Sequence, residues 1–173
     1  MADTTIDLEQ VQSVHIVGIG GAGMSAIAGV LASMGHRVTG SDLKASAAFE
    51  RLGSQGVEVT VGHDAANVGP DVGLVARSTA IPDANREVIA ARERGLPVLS
   101  RADILSAIAA TRATVAVAGT HGKTTTSSML ALVLVRAGLH PSFIIGGDVN
   151  EIGTGAVWDD GEWFVIELSL IHI

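Results

Sequence analysis

Cysteine is absent from this chain, which excludes disulfides and thiolate metal sites. Lysine and arginine never form a run, and the net charge is −7. No basic patch is therefore offered to nucleic acid or to an anionic membrane surface. Long apolar runs are missing too: the longest, Met129 to Val135, falls far short of the roughly 20 residues that cross a bilayer. The opening MADTTIDLEQ is polar and acidic, the reverse of a signal peptide's charged-then-apolar layout. These absences make the cytoplasm the expected compartment. The six histidines show no metal-ligand spacing. Charged residues are 17% and hydrophobic residues 47% of the chain, so a sizeable core is available and global disorder is not expected.

Glycine is what the chain has in quantity, 21 in all, clustered at predicted turns. The most informative cluster lies in Ala113 to Thr126, ATVAVAGTHGKTTT. It reads as a β-branched strand, a tight turn, then Lys123 and three threonines opening a helix. Backbone amides around Gly119, Thr120, His121 and Gly122 can face an anion, because glycine has no Cβ to block close approach. The helix start adds the free amides of Lys123, Thr124 and Thr125 and a positive dipole end. Lys123 supplies a point charge for terminal phosphates, and Thr124 a hydroxyl for Mg²⁺. This is the pattern of a nucleoside-triphosphate site. It departs from the general P-loop at Val117, where that pattern has its first glycine.

Upstream the chain alternates. Strands are expected at Val14–Val17, Arg37–Gly40, Val57–Val61, Val72–Ala76 and Val98–Leu99. Helices are expected from about Met24 to Met34, over Ala47–Leu52, Ala84–Arg94 and Arg101–Ala110, with Gly35, Gly53 and Gly95 closing the first three. That alternation predicts an α/β fold with a parallel sheet and right-handed crossovers. Thr111–Ala113 is the expected boundary. A second unit then carries the phosphate loop, a helix to Ala137, and strands at Phe143–Ile145 and Trp163–Ile166, joined by a glycine-rich, acidic connection.

A different glycine loop opens the first unit. Gly18-Ile19-Gly20-Gly21-Ala22-Gly23 satisfies GxGxxG after a strand and before the helix containing Met24, and Asp42 ends the next strand about 20 residues on. Alone, this pattern suits any diphosphate, whether of NAD or of a UDP-sugar.

GTHGKTTT resembles the ATP site of the Mur ligases, the amide-forming enzymes of peptidoglycan precursor synthesis, and a close relative of it occurs in folylpolyglutamate synthetases. HIVGIGGAGMSAIAGVLASMGHRVTGSDL, GHDAANV, Ser78 to Pro82, GLPVLSRADIL and AGTHGKTTTSSMLALVL extend the resemblance over nearly the whole chain to Glu167. Within the family it points to the members that join L-alanine to UDP-N-acetylmuramate. It implies a Rossmann-like UDP-N-acetylmuramate-binding domain over 1–111 and an incomplete ATP-binding domain of P-loop type over 112–173, with the C-terminal domain absent. Gly18, Gly20, Gly21, Ala22, Gly23, Met24, Ser41, Asp42, Ser78 and Thr79 would bind the UDP-sugar. Gly119 to Thr125 would bind ATP, with Lys123 and Glu167 catalytic and Thr124 and Glu167 holding Mg²⁺. The reaction implied is phosphorylation of the lactyl carboxylate by ATP, then attack of the L-alanine amine on the acyl phosphate. Residues 168–173 depart from the family pattern, and the chain is expected to be an inactive front portion of an enzyme.

Several single residues are read more plainly. Arg77 is expected at a solvated strand edge, His63 as an exposed turn residue, and Trp158 and Trp163 as packing residues. His121 is a candidate phosphate donor. Two readings stay open beside the ligase: an NAD-binding oxidoreductase module, which leaves GTHGKTTT unexplained, and a non-catalytic nucleotide-binding fragment.

Overall fold

The computed structural model describes residues 6–168; the expected departure at 168–173 lies outside them except for Leu168. The chain divides into two compact units after Ala107. The division falls inside a helix, Arg101–Ala109, a few residues before the expected boundary.

In the first unit β1 (Ser13–Val17) is buried at every position. It is the central strand, with β2 (Arg37–Asp42) and β4 (Leu74–Arg77) on either side, and β3 (Glu58–Val61) and β5 (Val98–Ser100) outside them. The order β3-β2-β1-β4-β5 is parallel throughout, the arrangement of the doubly wound nucleotide-binding folds. A strand covered on both faces needs apolar residues at successive positions, not alternate ones, and Val14, Ile16 and Val17 meet that need. Helix α1 (Ala22–Ser33) buries Met24, Ile27, Ala28, Val30 and Leu31. It stops at Gly35, whose φ of +97° lets the amide of His36 reach back to the Leu31 carbonyl. Helices α2 (Ala47–Ser54), α3 (Arg86–Glu93) and α4 (Arg101–Ala109) complete the unit. One core gathers Val17, Val68, Val72, Val75 and Ala91, with Ile81, Leu96 and Val98 packed against them.

The second unit runs β6 (Ala113–Ala118), α5 (Lys123–Arg136), β7 (Ser142–Val149), β8 (Thr154–Val157) and β9 (Trp163–Leu168). Its sheet has the order β6-β9-β7-β8. β7 and β8 pair antiparallel, and β8 lies inside what reads in the sequence as a glycine-rich connection. The segment Thr154-Gly155-Ala156-Val157 has strand-favouring residues only at its two ends. It needs its glycine because a Cβ at Gly155 would come within 2.5 Å of the Gly147 carbonyl oxygen. The core of this unit is Ala131, Phe143, Ile145, Val149 and Val165.

Arg112 ties the entry to β6 to the entry to β9. Its Nη1 donates to Ser142 Oγ at 3.0 Å, to the Gly161 carbonyl at 2.6 Å and to the Asp159 carbonyl. The guanidinium lies 4.0 Å over the Trp158 ring, and Trp158 meets Phe164 edge-on. Trp158 is thus a packing residue, as expected from the sequence. Trp163 is 38% exposed and does less of that work than its apolar ring suggests.

Candidate functional site

The loop between β6 and α5 puts a helix N-terminus on a turn of small residues. Gly122 is the N-cap of α5, with a left-handed φ of +75° and no side chain to cap the helix. Among the described residues, the amides from Thr120 to Thr125 have no acceptor; the first bond back into the turn is Thr126 N–H to the Gly122 carbonyl, at 2.9 Å. A row of unsatisfied donors at the positive end of a helix is an anion site. Lys123 folds over the same turn, its Nζ donating to the Gly119 carbonyl at 2.8 Å, so the ammonium is held beside those amides. His121 is exposed there and free to face solvent or a ligand.

Thr124 and Glu167 meet at this loop. Thr124 Oγ1 lies 3.0 Å from each carboxylate oxygen of Glu167, and Oε2 also accepts the Gly146 amide at 2.9 Å. The β6–β9 pairing sets Val117 opposite Glu167, which brings the carboxylate to the strand end where the loop begins. A hydroxyl and a carboxylate are hard oxygen donors of the kind Mg²⁺ prefers. A separate surface group, His140 with Asp159 and Asp160, brings ligand atoms within 4.8 Å of one another. The histidine spacing in the sequence does not foretell it.

In the first unit the glycine loop is held from below. The amides of Gly18 and Ile19 donate to the Ser41 carbonyl at 2.8 and 3.0 Å, and that of Gly20 to Asp42 Oδ2 at 2.8 Å. Asp42 Oδ1 accepts the Leu43 amide at 2.7 Å. Gly18 and Gly20 are therefore glycines for closeness: a Cβ would come within 2.9 Å of Ser78 Cβ at the first and of Asp42 Oδ2 at the second. Their amides are spent within the protein. Those of Gly21, Ala22, Gly23 and Met24, at the start of α1, have no acceptor among the described residues, and they form the part of the expected UDP-sugar set open to an anion. Ser78 lies against Gly18 with its amide on the Val17 carbonyl, and Thr79 is exposed beside it.

Ser41 has a different place from the one the sequence suggests. It is fully buried, and its hydroxyl donates to Glu87 Oε2 at 2.6 Å. Glu87 is also fully buried. It accepts from Asn67 Nδ2 at 2.5 Å and the Asp64 amide at 3.3 Å, with His63 Nδ1 at 3.2 Å and His15 Nε2 at 3.7 Å. Burial alone would raise its pKa, but the neighbouring His15, Ser41 and Asn67 outweigh that and hold it at about 2. His63 accordingly turns inward, not out to solvent. Arg77 is also no solvated edge: it donates to the Ile81 carbonyl at 2.9 Å and pairs with Asp83 at 3.1 Å. Glu87 has no sequence signal, since a glutamate in the first turn of a helix usually serves the dipole from the surface.

The family model described as Mur ligase family, catalytic domain, matches residues 13–113. The UDP-N-acetylmuramate–L-alanine ligase of Solidesulfovibrio magneticus is 48% identical over 91% of this chain and 34% of its own length. The ligase of the same name from Rhizobium etli is 51% identical over 89% of this chain and 32% of its own. The chain thus spans about a third of the curated relatives it matches. Among solved structures it is similar to a murein peptide ligase from Psychrobacter arcticus (TM-score 0.83, 30% identity, 91% of this chain and 38% of that one). It is also similar to the UDP-N-acetylmuramate-alanine ligase of Thermotoga maritima (TM-score 0.79, 31% identity, 90% of this chain and 37% of that one). With the family model spanning more than half of its residues, the chain belongs to the Mur ligase family.

Proposed function

We propose that this chain is the UDP-sugar-binding and ATP-phosphate-binding portion of a ligase that joins L-alanine to UDP-N-acetylmuramate. The observation that carries the reading is the meeting of Thr124 and Glu167 beside Lys123 and a row of unpartnered amides. In this reading the amides from Thr120 to Thr125 seat the ATP phosphates. Lys123 leaves the Gly119 carbonyl to face the transferred phosphoryl group, where it offsets negative charge that shifts as the bond to ADP breaks. Thr124 and Glu167 would hold Mg²⁺, which supplies further charge neutralisation on the phosphates when bound. The γ-phosphoryl group passes to the lactyl carboxylate; the amine of L-alanine then displaces phosphate to give the amide. Gly21 to Met24 receive the UDP diphosphate, and Ser41 and Asp42 shape that loop from below. The cytoplasm is the compartment in which these substrates would be met.

Sequence identity of 48–51% to UDP-N-acetylmuramate–L-alanine ligases favours L-alanine as the amine. The likeness to murein peptide ligases supports a second reading, in which a peptide amine takes its place. Both readings put a UDP-sugar at the first loop.

Calorimetric titration of the chain with UDP-N-acetylmuramate, NAD, NADP and ATP with Mg²⁺ tests this. UDP-N-acetylmuramate should bind more tightly than either dinucleotide. A clear preference for NAD would replace the ligase reading with an oxidoreductase one.

A further inference from the structure

Gly23 is the second residue of α1, and a Cβ there would run into an arginine. It would lie 2.6 Å from Arg101 Cζ, 2.7 Å from Nε and 2.9 Å from Nη2. Arg101 follows β5 directly and opens α4, so it leaves the sheet at the carboxyl ends of the strands, the edge at which open α/β sheets take their ligands. Among the described residues Arg101 joins no ion pair, and its Nε is buried without a hydrogen-bond partner.

That placement is unfavourable twice over. A buried N–H without an acceptor has lost its water and gained nothing in return. A guanidinium against the first turn of α1 also faces the positive end of the helix dipole and the free amides of Gly21 to Met24. An anion between them relieves both costs at once. Arginine suits a phosphate better than any other cation would, because its planar fork meets two oxygens together.

We propose that Arg101, with the α1 amides, grips a phosphate of the UDP-sugar's diphosphate, and that position 23 is glycine to let the guanidinium lie there. The proposal rests on the assignment of the UDP-sugar to the first loop. It adds a binding residue from a different part of the chain, 78 positions after Gly23 in a chain of 173.

The test is calorimetry on the 173-residue chain with UDP-N-acetylmuramate, UDP and uridine, using wild type, Arg101→Gln, Arg101→Lys, Gly23→Ala and the Arg101→Gln/Gly23→Ala double variant. Arg101→Gln should weaken UDP-N-acetylmuramate and UDP by about 10- to 100-fold, the worth of a charge-assisted hydrogen bond, and leave uridine unchanged. Arg101→Lys should fall between. Gly23→Ala pushes the guanidinium aside, so it should reproduce the loss, and the double variant should be no worse than Arg101→Gln alone. If Arg101→Gln folds and binds UDP within about threefold of wild type, well under that range, Arg101 has no such role and the site assignment survives. If Arg101→Gln does not fold, Gly23→Ala decides: unchanged UDP binding overturns the proposal, and a matching loss supports it. Failure of the wild type to bind UDP-N-acetylmuramate removes the site assignment and this proposal with it.

Discussion

The Thr124 hydroxyl and the Glu167 carboxylate stand 3.0 Å apart across 43 positions of sequence, joined by the parallel pairing of β6 with β9. Thr124 stands in the phosphate-loop motif and Glu167 at the end of an apolar strand, with no local sequence feature that links the two. The sheet makes the pair, and it does so at the strand end where the phosphate loop starts.

Glu167→Gln removes the charge and leaves the shape. ATP affinity measured with and without Mg²⁺ should then lose its metal dependence. The drop in the presence of Mg²⁺ should be at least the roughly 10-fold that outer-sphere partners of metal sites already cost. An undiminished Mg²⁺ effect in the variant would separate Glu167 from the metal.

Lys123→Ala should weaken ATP binding and leave UDP-N-acetylmuramate binding as it is, because the two loops belong to different units of the chain. In a complete ligase the same change should cost about 10²–10³ in rate, the usual loss for one electrostatic group at a transferring centre. Arg should rescue poorly, its fork being bulkier than an ammonium in a glycine-lined turn. Parallel titrations with both nucleotides check the chain, and an ATP affinity unchanged in Lys123→Ala would remove the residue from the phosphate site.

Glu87 gives a pH signature. Its folded pKa of about 2 lies below the ordinary 4.5, so the unfolded chain takes up its proton first as pH falls. The stabilisation is complete above about pH 4.5 and is lost as the pH drops toward 2. Glu87→Gln turns an amide N–H₂ toward the donors of Ser41 and Asn67 and should destabilise the fold by about 3 kcal/mol at neutral pH. Thermal melts across this acid range should show a shallower pH dependence in the variant; an identical slope would mean the carboxylate is not charged in the folded protein.

Gly161→Ala tests packing at the turn that Arg112 holds. Its Cβ would overlap the carbonyl oxygens of Leu139 and His140, backbone atoms that cannot swing away. A loss of about 1–3 kcal/mol is expected, read as a lower melting temperature. A melting temperature equal to wild type would show that the chain yields at this turn.

What could be read from the sequence follows burial. The two inner strands β1 and β4 are mostly buried apolar residues between glycine-closed helices, and Val14–Val17 appears in the structure as β1 with one residue added. The two glycine loops were also legible, since a helix start preceded by glycines declares itself in the chain. β8 was not, because its pairing depends on Gly155 fitting against the Gly147 backbone, a contact without compositional trace. Ser41 and His63 were misplaced for one reason: both turn toward Glu87, and a buried carboxylate on an otherwise unremarkable helix cannot be seen from its neighbours. Arg101 stands in a quoted stretch of the sequence, yet only the fold brings it to Gly23.

Arg112 acts as a stop on a ruler. It clamps the turn before β9 to the residue before β6, which fixes Ala113 against Trp163 and, by counting along the ladder, Val117 against Glu167. Side chains alternate faces along a strand, so a slip of a single residue would carry the carboxylate to the opposite side of the sheet. The distance from Thr124 to its partner therefore cannot drift by degrees. Damage at the clamped end would split the population into molecules in register, with the pair intact, and molecules out of register, with none.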